Sequence, residues 1–326
     1  MRAALGGRLD RAVTPCLFDR LDWLETLHGH CLADTPPRIL QVTQGEREAW
    51  LFLMESGPRS LSALANWYSF SWRPIFLGDP DPPARAHMVE AMARHLLKDV
   101  GQIDLYPLGD GTDLTGWLAD AFRRAGWFTV RRPMGGRHVL RLDGSDFAAY
   151  WAARPGRLRN QVKRKGRAGR FTLSIDHMLT DDLWRDYEAV QERSWKEPEP
   201  GLPFLRALAA REGAAGTLRL GFARAEGRPV ATQLWTVENG VALIHKLSHD
   251  RAFDEGSPGT LLSHAMFAHA IDVDHVRLID YGTGDNPYKT EWMGGRETLH
   301  RMDCFNPRMA SSWIPAARTA ISALVG

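Results

Sequence analysis

The stretch TLRLGFARAEGRPVATQLWTVENGVALIHKLSHD, Thr217 to Asp250, decides the fold class of this chain. It consists of three β-prone, largely apolar runs that are separated by the glycine-containing turns EGRP and ENG. Short turns of this composition join neighbouring antiparallel strands. The stretch therefore predicts a three-stranded antiparallel meander in the second half of the chain.

The segments around this meander alternate between helical and extended patterns. The helical segments TDDLWRDYEAVQERSW and PFLRALAAREG precede it, and the helical segment SPGTLLSHAMFAHAI follows it. A strand VRLID, a short helix NPYKTEWMG and a last strand ETLHRMDCFN come next. The order predicts an α/β fold with mixed sheets, and the first half shows a shorter version of the same order. We expect two similar domains, residues 1–144 and 145–308, and a tail helix at 309–326.

Composition and cysteine content limit the class of protein. The chain has 326 residues, of which 44% are hydrophobic and 25% are charged, as in ordinary globular proteins. Charged residues interrupt the first twenty residues too often for a secretory signal, so we expect a cytoplasmic protein. The three cysteines lack the spacing of metal ligands, so we expect no metal.

A basic segment opens the second half. No acid occurs from Phe147 to Ile175, while eight Lys and Arg side chains do. We expect Arg159 and Lys163 to bind phosphates of a substrate, because concentrated positive charge attracts such groups. The alternative is a solvated helix face. Aromatic residues do not interleave this basic run, so the pattern argues against a nucleic-acid partner.

The segment FDEGSPGTLLSHAMF places a small-residue turn before a helix. Gly256, Ser257, Gly259 and Thr260 lie where the first amides of that helix have no backbone partners, and Arg251 is close in sequence. The positive end of the helix dipole is a natural seat for a pyrophosphate. We predict that these five residues bind a cofactor, the alternative being a plain N-terminal cap.

The segment IDYGTGDNPYKTEWMGG, Ile279 to Gly295, concentrates chemical groups after a strand. Asp280 ends the apolar run, and Tyr288, Lys289 and Trp292 follow within thirteen residues. We predict a catalytic role for the first three residues and a substrate-binding role for Trp292, which would cover the site or pack below it. In the alternative interpretation Asp280 caps a turn, the aromatic residues are core, and Lys289 is solvated.

Two histidines lie on the predicted strand VALIHKLSHD. His245 and His249 are four residues apart, so regular alternation places them on one face and Lys246 on the other. Either imidazole has an ordinary pKa suited to a general base. We predict His245 as catalytic and His249 as substrate-binding, with a structural role as the alternative.

These segments together resemble the GNAT acyltransferases, in which a meander is followed by a turn, a helix and a strand that ends in a site. The IDYGTGDNPYKTEWMGG segment resembles the branch that contains FemAB-like peptidyltransferases and the acetyltransferase-like proteins of cellulose and capsule loci. ALANWYSFSWRPIF, Ala63 to Phe76, resembles an Asn-Tyr-Tyr stretch of their first domain. Such proteins carry two GNAT-like domains in tandem. The resemblance extends from about Leu21 to Pro307.

The resemblance implies roles for the residues named above. It implies that the two strands around His245 and Asp280 splay apart to admit an acyl thioester, and that the turn before the helix holds the pyrophosphate of coenzyme A. It also implies that Tyr288 protonates the leaving thiolate and that Lys289 steadies the negative charge of the transition state. Acyl-CoA is the implied co-substrate.

The predicted function is therefore an N-acyltransferase that acts by direct attack of an amine. The expected acceptor is a cell-envelope molecule, either an amino sugar of a polysaccharide precursor or a long-chain amine such as a sphingoid base. One alternative is a FemAB-like transferase that depends on aminoacyl-tRNA, although the helical arm of that group is not evident in the sequence. Another is a non-catalytic protein that binds a nucleotide or another anion.

The C-terminal segment SSWIPAARTAISALVG has an apolar helical stripe. On this predicted helix, one side carries Trp313, Ala317, Ile321 and Leu324. Arg318 is the one charged residue of the segment. We expect this helix to dock on its own protein. The alternative is contact with a membrane surface, which would place the protein at the inner membrane.

Overall fold

The structure is a computed structural model that describes residues 7–109, 113–194, 196–284 and 286–325. The strands are β1 (Pro37–Gln44), β2 (Arg47–Gly57), β3 (Ser60–Ala63), β4 (Ile75–Leu77), β5 (Gln102–Gly109), β6 (Phe128–Arg141), β7 (Thr172–Asp176), β8 (Leu218–Ala225), β9 (Arg228–Glu238), β10 (Val241–His249), β11 (Leu278–Thr283) and β12 (Gly295–Phe305). The α-helices are α1 (Leu21–Cys31), α2 (Pro82–Leu96), α3 (Leu114–Ala125), α4 (Phe147–Ala152), α5 (Gly156–Arg167), α6 (Asp181–Glu192), α7 (Leu202–Ala214), α8 (Pro258–Asp272), α9 (Pro287–Trp292) and α10 (Trp313–Val325).

The chain divides into two compact units. The first contains Met1–Gly136 and Glu297–Gly326, and the second contains Arg137–Arg296. Strands β6 and β12 each begin in one unit and end in the other, so the compact units divide at different places from the predicted domains 1–144 and 145–308. Those domain boundaries stay a prediction.

The first unit combines a mixed sheet with two packed helices. Its strand order is β1-β2-β3-β5-β12-β6, with β4 paired to β2. Helix α2 begins with a cap, in which the Asp81 carboxylate accepts from the Ala84 N–H at 2.8 Å. The apolar stripe of α2, Met88, Met92 and Leu96, is buried in the core together with residues of α3. Helical spacing and a local cap thus account for how α2 covers the sheet.

The second unit contains the predicted meander. Strand order is β6-β11-β10-β9-β8-β7, and β8, β9 and β10 are antiparallel neighbours. Helix α6 is capped by Thr180, whose hydroxyl accepts from the Leu183 N–H at 3.2 Å. The meander is confirmed, and its turns are the EGRP and ENG segments.

Helix α8 packs closely on one face of the strands of the second unit. Gln233 and Trp235 of β9 face α8, and the Gln233 amide donates to the Ser263 hydroxyl at 2.7 Å. A Cβ atom at Gly221 would lie 2.6 Å from the Met266 sulfur, so the close approach of α8 requires glycine there. Thr236, the next residue of β9, therefore faces the opposite side of the sheet.

The tail helix α10 does not bury its apolar stripe. Trp313, Ile321 and Leu324 are 61%, 63% and 87% exposed. The segment before it is attached to the first unit, because the Ser312 hydroxyl donates to the Gly101 carbonyl at 2.8 Å. The expectation that this stripe docks on its own protein is therefore wrong. No helix in the described ranges is both long and apolar enough to cross a bilayer.

Candidate active site

Strands β10 and β11 separate part of the way along their length. Their parallel register covers Val241–Leu243 against Leu278–Asp280. Beyond that point β10 continues to pair with β9, and β11 next pairs with β6 at Thr283. Within the described part of the chain the two strands share no later register pair. We call the interval between Ile244–His249 and Tyr281–Thr283 the wedge.

A β-bulge lies at the start of the wedge. The register of β10 against β9 shifts between Ile244 and Lys246, so His245 is the extra residue. Ile244 packs in the core with α8, whereas His245 is hydrogen-bonded to Thr236 on the opposite face of the sheet. A bulge of this kind interrupts the alternation of side chains.

The bulge corrects the expected orientation of the strand residues. The Nδ1 atom of His249 lies 3.4 Å from the Cβ position of Gly259, on the α8 face, and its Nε2 is 2.7 Å from the Asp254 carboxylate. The prediction that His245 and His249 share a face is wrong. Lys246 pairs in register with Leu234, on the same face of β9 as Thr236, and so lies on the same face as His245. It forms an ion pair with Glu199.

His245 is held as a neutral imidazole. Its Nε2 atom is 2.9 Å from the Thr236 hydroxyl. Burial lowers the pKa of His245 to about 4; the Glu212 carboxylate opposes this shift, and the charges of Lys246 and Arg211 reinforce it. A base this weak takes a proton from an ammonium poorly at neutral pH. The catalytic role of His245 stays a prediction, and the geometry favours a structural one.

Asp280 occupies the β11 side at the start of the wedge. It is 3% exposed, and its Oδ1 accepts from the Gly282 N–H at 2.9 Å. Its Oδ2 lies 3.5 Å from the Arg137 guanidinium. Because Ile279 and Tyr281 pack in the core with α8, Asp280 faces the opposite side of the sheet, the side to which His245 also turns.

Lys289, in helix α9, is buried against strand β11. It is 5% exposed, and its ammonium donates to the carbonyls of Tyr281 at 3.0 Å and Thr283 at 2.6 Å. The ammonium also lies 5.3 Å from the centre of the Tyr281 ring. The alternative in which Lys289 is a solvated lysine is therefore wrong.

Aromatic residues line the same region. The rings of Tyr281 and Tyr288 meet edge to face at 5.9 Å, and burial raises the pKa of both phenols. Tyr288 is thus protonated at neutral pH and has a proton to donate. Trp292 is buried against Phe267 and Trp151, with ring centres 5.0 and 5.7 Å away, so it packs beneath the region rather than over it.

The turn before α8 is held in place by α5. Ser257 has a left-handed backbone conformation, and its hydroxyl accepts from the Gln161 amide at 3.0 Å. Gly256 is buried so closely that a Cβ atom there would lie 2.6 Å from the Phe171 ring. Gly259 and Thr260 are half-buried in the first turn of α8, and Arg251 is exposed.

Helix α5 carries its basic residues at two open pockets. Leu158 and Val162 face inward. Arg159 and Lys163 line a pocket of about 500 Å³ whose other side includes Trp151 and His264. A second pocket of about 660 Å³ is lined by Arg157, Asn160, Gln161 and Arg164, beside the turn that Gln161 holds.

One residue that contacts the wedge, Lys196, is not among the site residues predicted from the sequence. Lys196, in the connection after α6, donates to the Leu247 carbonyl of β10 at 2.5 Å. Burial, together with the charges of Lys246 and Lys289, lowers the pKa of Lys196 to about 8, and Glu199 opposes this shift. The WKEPEPG segment contains no motif that marks this lysine, because its partners are distant in sequence.

No cluster of three or more His, Cys, Asp or Glu side chains that would hold a metal occurs in the described residues. This finding leaves the expectation of a metal-free site as a prediction.

Comparisons with known proteins place similarities in the second half of the chain and in the overall fold. Residues 152–290 match the family model described as an acetyltransferase (GNAT) domain. The C-terminal domain (DUF2156) of a putative lysylphosphatidylglycerol synthetase from Agrobacterium fabrum is similar in fold, with a TM-score of 0.62, 12% identity, and coverage of 98% of this chain and 96% of that one. A comparison with curated protein sequences finds no significant match.

Two further solved structures are similar. FemX has a TM-score of 0.62 and 10% identity, and covers 89% of this chain and 92% of its own. L-PGS from Bacillus licheniformis has a TM-score of 0.56 and 12% identity, with coverage of 92% and 95%. At these identities the similarity shows the fold alone. The predicted mixed α/β fold is confirmed, and residues 152–290 are similar to a GNAT acetyltransferase domain. The tandem arrangement of two such domains stays a prediction.

Proposed function

We propose that the protein is a GNAT-type N-acyltransferase that moves an acyl group from acyl-CoA to an amine of a cell-envelope acceptor. The observation that carries the proposal is the wedge between β10 and β11, with Asp280 and Lys289 buried on its β11 side. The acceptor is an amino sugar of a polysaccharide precursor or a long-chain amine such as a sphingoid base.

The proposed reaction is a direct attack in the wedge. The amine nitrogen forms a bond to the acyl carbon, and the electron pair of the carbonyl moves onto its oxygen. Collapse of this intermediate breaks the carbon–sulfur bond. Asp280 anchors the incoming ammonium and accepts its first proton before the attack. Tyr288 gives its proton to the thiolate and receives the second proton of the nitrogen as the amide forms. Lys289 lowers the energy of the negative intermediate.

The coenzyme A site is proposed at the first turn of α8. Free amides and the helix dipole favour the pyrophosphate there, beside Gly256, Ser257, Gly259 and Thr260. The turn itself has little positive charge. Helix α5 supplies that charge, because Arg157 and Arg164 flank Gln161, which touches Ser257.

The acceptor is proposed to lie in the pocket of Arg159 and Lys163. This pocket pairs basic side chains with an aromatic floor, on which Trp151 and His264 meet edge to face at 4.5 Å. Such a combination suits a molecule that has both an anionic group and an apolar body. His249 and Trp292, predicted to bind substrate, lie against α8 and beneath the wedge, respectively.

A FemAB-like transfer from aminoacyl-tRNA is the second candidate. The fold similarity to FemX, to the C-terminal domain of a putative lysylphosphatidylglycerol synthetase and to L-PGS supports it, and so does the basic face of α5. The third candidate, a non-catalytic protein that binds nucleotides or other anions, rests on α5 alone.

We propose a cytoplasmic location with peripheral contact at the inner membrane. The support is the exposed apolar stripe of α10, together with the absence of acids from residues 307–326 of the sequence. A surface helix with this composition binds the interface of a bilayer weakly.

An untargeted mass-spectrometric search tests the proposed function. The protein is mixed with acyl-CoA and an envelope extract, and amine-containing products are examined for the added acyl mass. The expected result is an acylated amine that requires both the protein and acyl-CoA. Transfer that requires aminoacyl-tRNA instead supports the second candidate, and binding of anions without any transfer supports the third.

A further inference from the structure

Two lysine side chains bind backbone carbonyls on the two strands that border the wedge. Lys196 donates to Leu247 of β10, and Lys289 donates to Tyr281 and Thr283 of β11. All three carbonyls belong to residues beyond the last register pair of the two strands. The charge of Lys289 acts on Lys196, so the two ammonium groups lie within electrostatic reach of each other.

Other groups beside β10 are polar as well. Lys246 of β10 is paired with Glu199, and the Ser248 hydroxyl donates to the Gln191 Oε1 of α6 at 2.8 Å. The Nε2 atom of Gln191 is buried and has no acceptor among the described atoms. The Gln191 amide, whose oxygen contacts Ser248 of β10, is therefore a buried donor beside the wedge.

We propose that Lys196 is a further catalytic residue of the acyl transfer, and that it binds the carbonyl oxygen of the acyl group from the β10 side, opposite Lys289. The proposal rests on the proposed function. When the acyl group enters the wedge, the Lys196 ammonium exchanges its contact with the Leu247 carbonyl for one with the acyl oxygen.

The step is balanced without any further reactant. The attack of the amine places a negative charge on the acyl oxygen, and the Lys196 ammonium keeps its proton while it stabilises that charge. When the carbonyl re-forms and the thiolate leaves, Lys196 returns to the Leu247 carbonyl. Two ammonium groups already oriented toward the bound acyl group stabilise the oxyanion more strongly than water does.

This role fixes the direction of the pH dependence. Burial and the charges of Lys246 and Lys289 set the pKa of Lys196 at about 8, with Glu199 opposing them. Because the charged form is the active one, turnover falls as the pH rises through about 8. A lysine that acted as general base would give the opposite slope.

The kinetic test uses Lys196→Met, Lys196→Arg and the exposed control Lys98→Met. We expect kcat to fall on the order of 100-fold in Lys196→Met, with KM for acyl-CoA changed less than about threefold. Lys196→Arg retains more activity and moves the alkaline limb to higher pH, because arginine stays charged. A Lys196→Met enzyme with wild-type kcat, or with the alkaline limb of the wild type, overturns the proposal.

A second measurement does not depend on turnover. The ¹³Cε resonance of Lys196 is assigned by its absence in Lys196→Arg and titrated with and without a thioether analogue of acyl-CoA. We expect a midpoint near 8 and a shift on binding the analogue. An ordinary lysine midpoint, or a resonance that does not respond, overturns the role of Lys196. Failure of the wild type to acylate any amine counts against the proposed function instead.

Discussion

Leu243 of β10 and Asp280 of β11 form the last register pair between these two strands. The bulge at His245 follows at once on β10, and the turn that Asp280 stabilises through the Gly282 N–H follows on β11. The bulge on β10 and the turn on β11 therefore both contribute to the separation of the two strands. This geometry opens the space in which we place the acyl transfer.

Replacing Asp280 tests its contribution to the β11 side of the wedge. Asp280→Ala is expected to lower the free energy of unfolding by about 3 kcal/mol, because it leaves the largely buried Arg137 without its carboxylate. Asp280→Asn keeps an acceptor for the Gly282 N–H and costs less. Denaturant unfolding measures both, with Asp254→Ala, whose side chain is 61% exposed, as the control. Equal effects at Asp254 and Asp280 would contradict this account.

The buried, neutral His245 is expected to make the free energy of unfolding decrease at acid pH. Its pKa is about 4 in the folded chain and 6.5 in the unfolded one, so the unfolded chain binds the proton first as the pH falls. Stability is complete above pH 6.5 and decreases from there toward pH 4, by at most about 3 kcal/mol. Unfolding free energies across this range should fall less steeply in His245→Gln than in the wild type. His30→Gln is the exposed control, and parallel curves for His245→Gln and wild type would refute the assignment.

Lys289→Met separates the two effects of the buried ammonium. The variant leaves the carbonyls of Tyr281 and Thr283 without this donor, which costs about 2 kcal/mol of stability. If Lys289 also stabilises the transition state, kcat falls on the order of 100-fold at temperatures where the variant remains folded. Calorimetry and turnover assays measure the two effects, with Lys98→Met alongside. A folded variant that turns over at the wild-type rate would remove Lys289 from the mechanism.

We expect the exposed apolar side chains of the tail helix α10 to contribute little to the free energy of unfolding and to bind membranes. Ile321→Ser and Leu324→Ser should change the unfolding free energy by less than about 0.5 kcal/mol, since both side chains are exposed. Sedimentation with anionic vesicles should decrease in both variants. Met178→Ser, which removes an equally exposed apolar side chain in the second unit, should sediment like the wild type. Unchanged vesicle binding in the tail variants would exclude the proposed membrane contact.

Elements with local signals were predictable from the sequence. The glycine turns of the meander and the Thr180 cap of α6 depend on residues close to one another in the chain, so their patterns are visible without the fold. The cluster of Asp280, Tyr288 and Lys289 after a strand was visible for the same reason. The catalytic roles of these three residues are part of the proposed function.

Features that depend on partners distant in sequence were not predictable. The bulge at His245 is a shift of register against β9, and it leaves the apolar pattern of β10 unchanged. The contact of Lys196 with Leu247 brings a connecting segment to a strand far along the chain. The exposure of Trp313 likewise depends on whether the fold offers a surface that covers it.

The central claim is that acyl transfer takes place in the wedge. The most direct measurement is a crystal structure of the protein with a non-reactive S-(2-oxoalkyl) thioether analogue of acyl-CoA, which keeps the acyl oxygen. We predict that the thioether lies between Ile244–His249 and Tyr281–Thr283, with the acyl oxygen in hydrogen-bond reach of a lysine ammonium. An analogue bound elsewhere, with β10 and β11 paired beyond Leu243 and Asp280, would contradict the account.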